Sequence, residues 1–229
     1  AAMSVLALAL RPAEAAAPAA GPQQTLRDAV AEAMGHRGYV LLVLGFFTCG
    51  FQLAFIGTHL PAFLGDRGLD LWVGGTALAV IGAANVVGTM ACGLLGDRLG
   101  KKNLLVALYT TRAVATVGFL WLPVTPASVL AYALVMGLTW LGTVPLTSGI
   151  VAQVFGARYM ATLVGVVFLM HQAGSFLGAW LGGIVFDATG SYEPVWWSVA
   201  ALGLAAAVLH WPIDDRPLVR RHLAVVRAR

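Results

Sequence analysis

The sequence predicts an all-α membrane protein built as a bundle of six transmembrane helices. Of its 229 residues, 59% are hydrophobic and only 10% are charged, whereas a soluble domain carries about 25% charged residues. Six apolar runs each reach the roughly 20 residues that a helix needs to cross a bilayer. Arg112 is the only formal charge inside them.

The chain divides into four segments in sequence order. Residues 1–10 are apolar but too short to span, and we interpret them as the end of a preceding transmembrane helix. Residues 11–37 turn Ala/Pro-rich and then polar, which predicts a cytoplasmic linker with a short amphipathic helix over residues 25–34. The six-helix transmembrane bundle is expected over residues 38–213, and a basic cytoplasmic tail over residues 214–229.

The six apolar runs are joined by short connections, so adjacent helices must pack antiparallel. The runs are residues 39–64, 72–95, 104–122, 127–155, 160–186 and 195–213. Gly174, Gly178 and Gly182 recur at four-residue spacing, which predicts close packing of one helix backbone against another. Pro145 lies inside the fourth run and predicts a kink there.

The basic residues predict the orientation of the bundle. If the first run enters from the cytoplasm, only Arg67 falls in an outer segment. Because translocation of Lys and Arg is disfavoured, both ends of the chain are expected to be cytoplasmic. This distribution accounts for the net charge of +4 without a nucleic-acid partner. The basic residues on the cytoplasmic side are Arg11, Arg27, Arg37, Arg98, Lys101, Lys102, Arg158, Arg216, Arg220, Arg221, Arg227 and Arg229.

The sequence predicts neither a cofactor nor an enzyme. Cys49 and Cys92 both fall inside apolar runs, so we interpret them as small buried hydrophobic residues and not as a disulfide or a metal site. Gly-x-Ser-x-Gly, His-Glu-x-x-His and the Gly-rich phosphate loop are absent from the sequence. His171 and Ser175 lie one helical turn apart, but their glycine-rich surroundings favour packing over catalysis.

The turn between the second and third runs has the sequence GLLGDRLGKK, residues 93–102. This segment resembles the signature loop of the major facilitator superfamily, which stands between the second and third helices of each half. The resemblance implies a conformational latch that holds the cytoplasmic side shut during part of the transport cycle. A topological anchor of positive charge is the alternative. The latch residues would be Gly93, Asp97, Arg98, Gly100, Lys101 and Lys102.

Two further segments are similar to bacterial monocarboxylate-transporter-like members of that superfamily. The first is HQAGSFLGAWLGG, residues 171–183, followed by FDATGSY, residues 186–192. The second is THLP, residues 58–61. The resemblance implies the C-terminal half of a twelve-helix carrier in the bacterial inner membrane. Either an N-terminal six-helix half is missing from this chain, or two copies assemble. The expected function is secondary transport of a small organic solute, with an organic anion or monocarboxylate as the expected substrate, and drug or metabolite efflux and a non-transporting sensor as alternatives.

Arg112 is the main candidate for substrate binding. It lies ten residues past Lys102, which places it about 15 Å deep, near the middle of the bilayer core. Ionisable residues at that depth usually mark a solute pathway. Tyr109, Arg112 and Thr116 share one helix face and predict an organic-anion site. The alternative is a structural arginine bonded to carbonyls or to an acidic residue of another bundle.

Three polar residues on other runs are expected to complete the substrate site. Gln52 lies on the first run, Asn85 on the second and His171 on the fifth. Because the pKa of histidine is tunable across neutral pH, His171 is also the candidate carrier of a coupled proton. Each of these side chains has interhelical hydrogen bonding as its alternative role.

Overall fold

The computed structural model describes residues 24–218, and within that range it is helical, with no strand. The first helix, α1 (Leu26–Gly35), begins at a capping box in which Thr25 and Asp28 bond each other's backbone N–H groups. Its Ala29 and Ala33 are buried. The amphipathic helix predicted before the bundle is therefore confirmed. The predictions for residues 1–10, for the earlier part of the linker and for the end of the basic tail lie outside the described residues.

Residues 24–218 contain six candidate membrane spans, as the sequence predicts. Five are single helices, and the fourth span, Pro126–Phe155, consists of two helices in line. The bundle helices are α2 (Arg37–Asp66), α3 (Leu71–Leu99), α4 (Lys101–Trp121), α5 (Pro126–Thr139), α6 (Thr143–Phe155), α7 (Met160–Thr189) and α8 (Glu193–His210).

The interruption between α5 and α6 follows from Pro145. A proline has no backbone N–H, so the carbonyl four residues earlier, that of Leu141, loses its helical partner. The chain adapts with two tighter turns: Trp140 N–H donates to the Gly137 carbonyl at 3.0 Å, and Val144 N–H donates to the Leu141 carbonyl at 3.0 Å. The predicted kink is confirmed as a break in the helix.

The glycines of α7 pack against α2. A Cβ atom at Gly174 would lie 2.1 Å from the Phe47 carbonyl oxygen, and one at Gly178 would lie 2.3 Å from the Phe51 carbonyl oxygen. At Gly182 the neighbour is the ring of His59, whose Nε2 lies 2.8 Å from the Ala179 carbonyl. Only glycine permits this approach, so the predicted packing role of the three glycines is confirmed.

The spans differ in how much of their surface the bundle covers. Over an 18-residue apolar stretch of each span, 61% of the residues of α2 are buried, against 22% for α3 and 17% for α7. Helix α2 is central, while α3 pairs mainly with α5 and α4 pairs mainly with α8. The uncovered surfaces of α3 and α7 are therefore the ones that lipid or another protein segment would contact.

Candidate functional site

Arg112 lies inside the bundle and is fully buried. Its Nη2 donates to the backbone carbonyls of Thr139 and Trp140, the latter at 2.6 Å. Its Nη1 lies 3.4 Å from Gln52 Oε1 and 3.6 Å from Cys49 Sγ. The guanidinium is thus bonded to the break between α5 and α6.

Backbone dipoles stabilise this buried cation. The last carbonyls of a helix have no intrahelical partner and carry partial negative charge, and α5 ends at Thr139. Arg112 has no ion pair with a carboxylate among residues 24–218. Its positive charge is therefore balanced within the described chain by carbonyl oxygens at the helix break.

Asn85 of α3 also bonds to the break between α5 and α6. Its side-chain oxygen accepts a hydrogen bond from the Leu141 N–H at 3.0 Å and another from the Thr89 hydroxyl at 3.0 Å. Arg112 therefore satisfies free carbonyls of the break, and Asn85 satisfies a free N–H. We call Arg112 and Asn85 the break clamp.

The other residues predicted on the Arg112 face are buried beside it. Tyr109 and Thr116 are both fully buried, as their helical spacing with Arg112 predicts. The Tyr109 ring lies 5.3 Å from the guanidinium carbon and stacks on the ring of His210 at 5.0 Å. Thr116 Oγ1 lies 3.3 Å from the Tyr132 hydroxyl. These side chains are closed to a solute in this conformation.

Gln52 belongs to the same buried region. It is fully buried, and its Nε2 donates to the Val199 carbonyl of α8 at 2.9 Å. With its Oε1 facing Arg112, Gln52 links α2 to both α4 and α8. The structure therefore brings Arg112, Tyr109 and Gln52 together in one buried network that connects α2, α4 and α8.

His171 lies on the poorly covered helix α7 and is partly exposed. Its ring lies 5.2 Å from that of Phe46 on α2, and its side chain neighbours Cys49, which faces Arg112. Its Nδ1 lies 3.2 Å from Gln172 Oε1 and 3.4 Å from Ser175 Oγ. Gln172 is exposed. We call His171, Gln172 and Ser175 the α7 polar patch. Gln172 was not among the predicted site residues, although a glutamine beside a candidate histidine within an apolar run is a sequence signal for a polar site.

The depth of the α7 polar patch restricts what covers it. Gln172 lies twelve residues past Met160 in a 30-residue helix, which places it about 18 Å along the span, near the bilayer middle. An exposed amide in hydrocarbon loses its hydrogen bonds with water at a cost of several kcal/mol. Such a group is expected to face a water-filled cavity or another protein segment.

The turn predicted to be a latch joins four parts of the bundle. Lys101 Nζ lies 2.7 Å from Asp97 Oδ1 and 3.4 Å from Gln153 Oε1, and Gln153 Nε2 donates to the Asp215 carbonyl at 2.8 Å. Lys102 Nζ donates to the Ile213 carbonyl at 2.8 Å. The turn thus connects α3 and α4 to α6 and to the segment after α8.

The two latch glycines differ in their surroundings. Gly100 adopts a φ of 82°, a conformation that suits glycine, and so makes the tight turn between α3 and α4. A Cβ at Gly93 would meet nothing within 4 Å, whereas one at Gly96 would lie 2.6 Å from Leu146 Cδ2. Gly96, and not Gly93, is therefore the glycine of this segment that packs closely against a neighbouring helix. Arg98 is exposed.

Six spanning helices, a break in the fourth span and polar groups at mid-membrane depth define a polytopic membrane protein built like a solute carrier. The chain matches the Major Facilitator Superfamily over residues 1–179. It belongs to that superfamily, and the resemblance seen in the signature loop is confirmed.

Curated relatives from bacteria and animals are transporters by name. The chain is 28% identical over 182 residues to the Uncharacterized MFS-type transporter YcxA of Bacillus subtilis, a match that covers 77% of this chain and 44% of the relative. It is 31% identical over 137 residues to Monocarboxylate transporter 13 of Rattus norvegicus, covering 58% and 32%. For the Uncharacterized MFS-type transporter YhjX of Escherichia coli the identity is 25% over 147 residues, covering 64% and 37%. The chain thus spans less than half the length of the curated relatives it matches.

Proposed function

We propose that this chain is the C-terminal six-helix half of a secondary carrier that moves a small organic solute by alternating access. Membership of the superfamily, the six spans and the matches to less than half of longer transporters support this proposal. In such carriers the solute binds near the bilayer middle between two six-helix bundles, which rock against each other. The second bundle would be an N-terminal half.

The observation that carries the proposal is the α7 polar patch. It combines partly or fully exposed polar groups with mid-membrane depth on the helix that the bundle covers least. A surface of this kind is costly in lipid and favourable beside a second bundle with a solute cavity between them. The patch therefore supports a solute site at the face of α7.

The chemistry of the α7 polar patch favours a small polar solute with hydrogen-bond acceptors. Gln172 offers both an amide donor and an acceptor, Ser175 a hydroxyl, and His171 an ionisable ring. A protonated imidazole beside an amide donor suits a carboxylate. We therefore propose an organic anion, such as a monocarboxylate, as the solute, with His171 as the group that couples its binding to a proton.

The break clamp has a different proposed role. Arg112 is committed to two carbonyls of the break, so we assign it to positioning α5 and α6 rather than to first contact with the solute. In this account Arg112, Tyr109, Thr116, Gln52 and Asn85 act on transport indirectly, by fixing the shape of the fourth span. The six latch residues keep their proposed role at the cytoplasmic side, since the turn ties four parts of the bundle together.

The test uses the protein at its natural length in proteoliposomes. Uptake of labelled carboxylates, sugars and cationic drugs is compared for the wild type, His171→Gln and Val208→Ala, an exposed control on α8. We expect proton-dependent carboxylate uptake that His171→Gln abolishes and Val208→Ala preserves. Preference for a sugar or a cation would contradict the anion proposal, and absence of flux for every compound would favour a sensor.

A further inference from the structure

An open cleft of about 410 Å³ lies at the end of the bundle that carries the α3–α4 turn. Lys102, Asn103 and Val106 of α4 line one side, and Trp211, the residue after α8, lines the other. The volume falls within the range typical of small-ligand sites. The cleft contains no residue of the α7 polar patch, so it is a separate feature of the molecule.

The cleft combines a cation and an amide with apolar walls. Lys102 Nζ donates one hydrogen bond, to the Ile213 carbonyl at 2.8 Å, and an ammonium group has three donors. Asn103 is exposed, and Trp211 keeps 73% of its surface exposed. A ligand that fits this arrangement has an anionic oxygen for Lys102 and Asn103 and an apolar part for Val106 and Trp211.

Charge at this end of the bundle favours an anion. Among the neighbouring acidic residues, Asp97 is paired with Lys101 at 2.7 Å and Asp214 with Arg216 at 3.3 Å, and Asp215 follows Asp214 in the chain. Arg98, Lys101 and Lys102 stand together at the turn between α3 and α4. A basic cluster directly beside a spanning helix attracts anionic lipids, with each Lys or Arg contributing about 1 kcal/mol.

The position of the cleft selects the occupant. Lys102 is the second residue of the span Lys101–Trp121, and Trp211 directly follows the span Glu193–His210. Both side chains therefore lie at the boundary between the apolar core and the membrane surface, where tryptophan is enriched. The headgroups of membrane lipids lie at this boundary, and their local concentration there is as high as the bilayer provides.

We propose that this cleft binds the headgroup of an anionic phospholipid. Lys102 and Asn103 contact the phosphate, and Val106 and Trp211 contact the glycerol backbone and the first part of an acyl chain. The interaction is independent of the solute, so the proposal stands or falls separately from the carrier function. It gives Lys102 a ligand in addition to its bond to the segment after α8.

The test is native mass spectrometry of the protein at its natural length, in micelles with equal amounts of phosphatidylglycerol and phosphatidylcholine. We expect phosphatidylglycerol adducts to dominate in the wild type. Lys102→Gln should lower the ratio of phosphatidylglycerol adducts to phosphatidylcholine adducts about fivefold, which is the effect expected from the loss of one surface lysine. Lys102→Arg should retain the wild-type ratio. The matched control is Arg67→Gln, a basic residue beside an aromatic ring at the other end of the bundle, which should leave the ratio unchanged.

Three results would overturn the proposal. They are equal retention of the two lipids by the wild type, an unchanged ratio in Lys102→Gln, and displacement of phosphatidylglycerol by millimolar inorganic phosphate, which would make the cleft a site for free phosphate. Trp211→Ala provides a second variant outside the helices if Lys102→Gln does not fold. It should lower total lipid retention while the protein still elutes as a single species, and full retention would count against the cleft.

Discussion

Two polar regions lie at the same depth in this bundle and differ in what surrounds them. Arg112 is the twelfth residue of α4, and His171 is the twelfth residue of α7. Arg112 is fully buried and bonded to backbone carbonyls, whereas His171 is partly exposed beside the exposed Gln172. Depth in the membrane alone therefore does not distinguish a solute contact from an internal support; burial and bonding partners do.

The difference follows from the neighbours of each helix. Helix α4 packs on α8 and also contacts α5 and α6, so a long cation on it reaches the carbonyls that the break leaves free. Helix α7 packs chiefly on α2 through its glycines. His171 and Ser175 border this contact with α2, while Gln172 is exposed on the uncovered side of α7.

The largest expected effect is on stability, from Arg112→Gln. Two buried carbonyls lose charged donors, which we expect to lower the free energy of unfolding by about 3 kcal/mol. Denaturant unfolding in micelles measures the change, with the exposed Arg67→Gln as the control, expected within about 0.5 kcal/mol of the wild type. Wild-type stability with abolished carboxylate transport would return Arg112 to the role of substrate anchor.

The next effect tests the contact between α2 and α7. Gly174→Ala places a Cβ 2.1 Å from the Phe47 carbonyl oxygen, and we expect the forced separation to cost about 2 kcal/mol of unfolding free energy. Gly183→Ala is the matched control on the same helix, because its Cβ would meet nothing within 4 Å. Equal stabilities of the two variants would show that the close approach at Gly174 is not needed.

A third pair of variants replaces a glutamine by leucine in each of the two polar regions. Gln172→Leu removes an exposed amide, so we expect uptake to fall about tenfold, the effect of one hydrogen bond of ~1.4 kcal/mol to the solute, with unfolding unchanged. Gln52→Leu removes the side-chain bonds to the Val199 carbonyl and to Arg112, and should lower the unfolding free energy by about 1–2 kcal/mol. Uptake assays and denaturant unfolding on both variants check the pair. A reversed pattern would interchange the roles of the two regions.

The smallest expected effect concerns the turn between α3 and α4. Gly100→Ala forces a side chain into a backbone with φ of 82°, which should cost about 1 kcal/mol. The Cβ of Gly93→Ala would meet no atom within 4 Å, and the residue lies inside helix α3. The free energy of unfolding should therefore be unchanged or slightly higher. Thermal unfolding of both variants distinguishes a glycine needed for conformation from one that is not.

Much of the fold follows from local sequence. The six spans, the break before Pro145 and the packing of Gly174, Gly178 and Gly182 were predictable because apolar length, a missing N–H and a missing side chain act through neighbouring residues. The end of the last span was less certain. The apolar run continues to residue 213, but α8 ends at His210, two residues before Pro212.

The site was only partly predictable. The helical spacing of Tyr109, Arg112 and Thr116 establishes that they share a face, but whether that face points into the bundle depends on contacts between distant helices. The bond between Arg112 and the helix break joins residues 27 and 28 positions apart and has no local signal. The exposure of Gln172 depends on which side of α7 packs against α2, and that contact joins helices far apart in the chain.

The most direct test of this comparison is thiol labelling of Gln172→Cys and Thr116→Cys with a membrane-impermeant reagent, in the protein at its natural length. The native Cys49 and Cys92 are buried and provide an unreactive background. We expect Cys at position 172 to react, more slowly when solute is bound, and Cys at position 116 to remain unmodified. An unreactive position 172 together with a reactive position 116 would place the solute pathway along the Arg112 face of α4 and contradict this account.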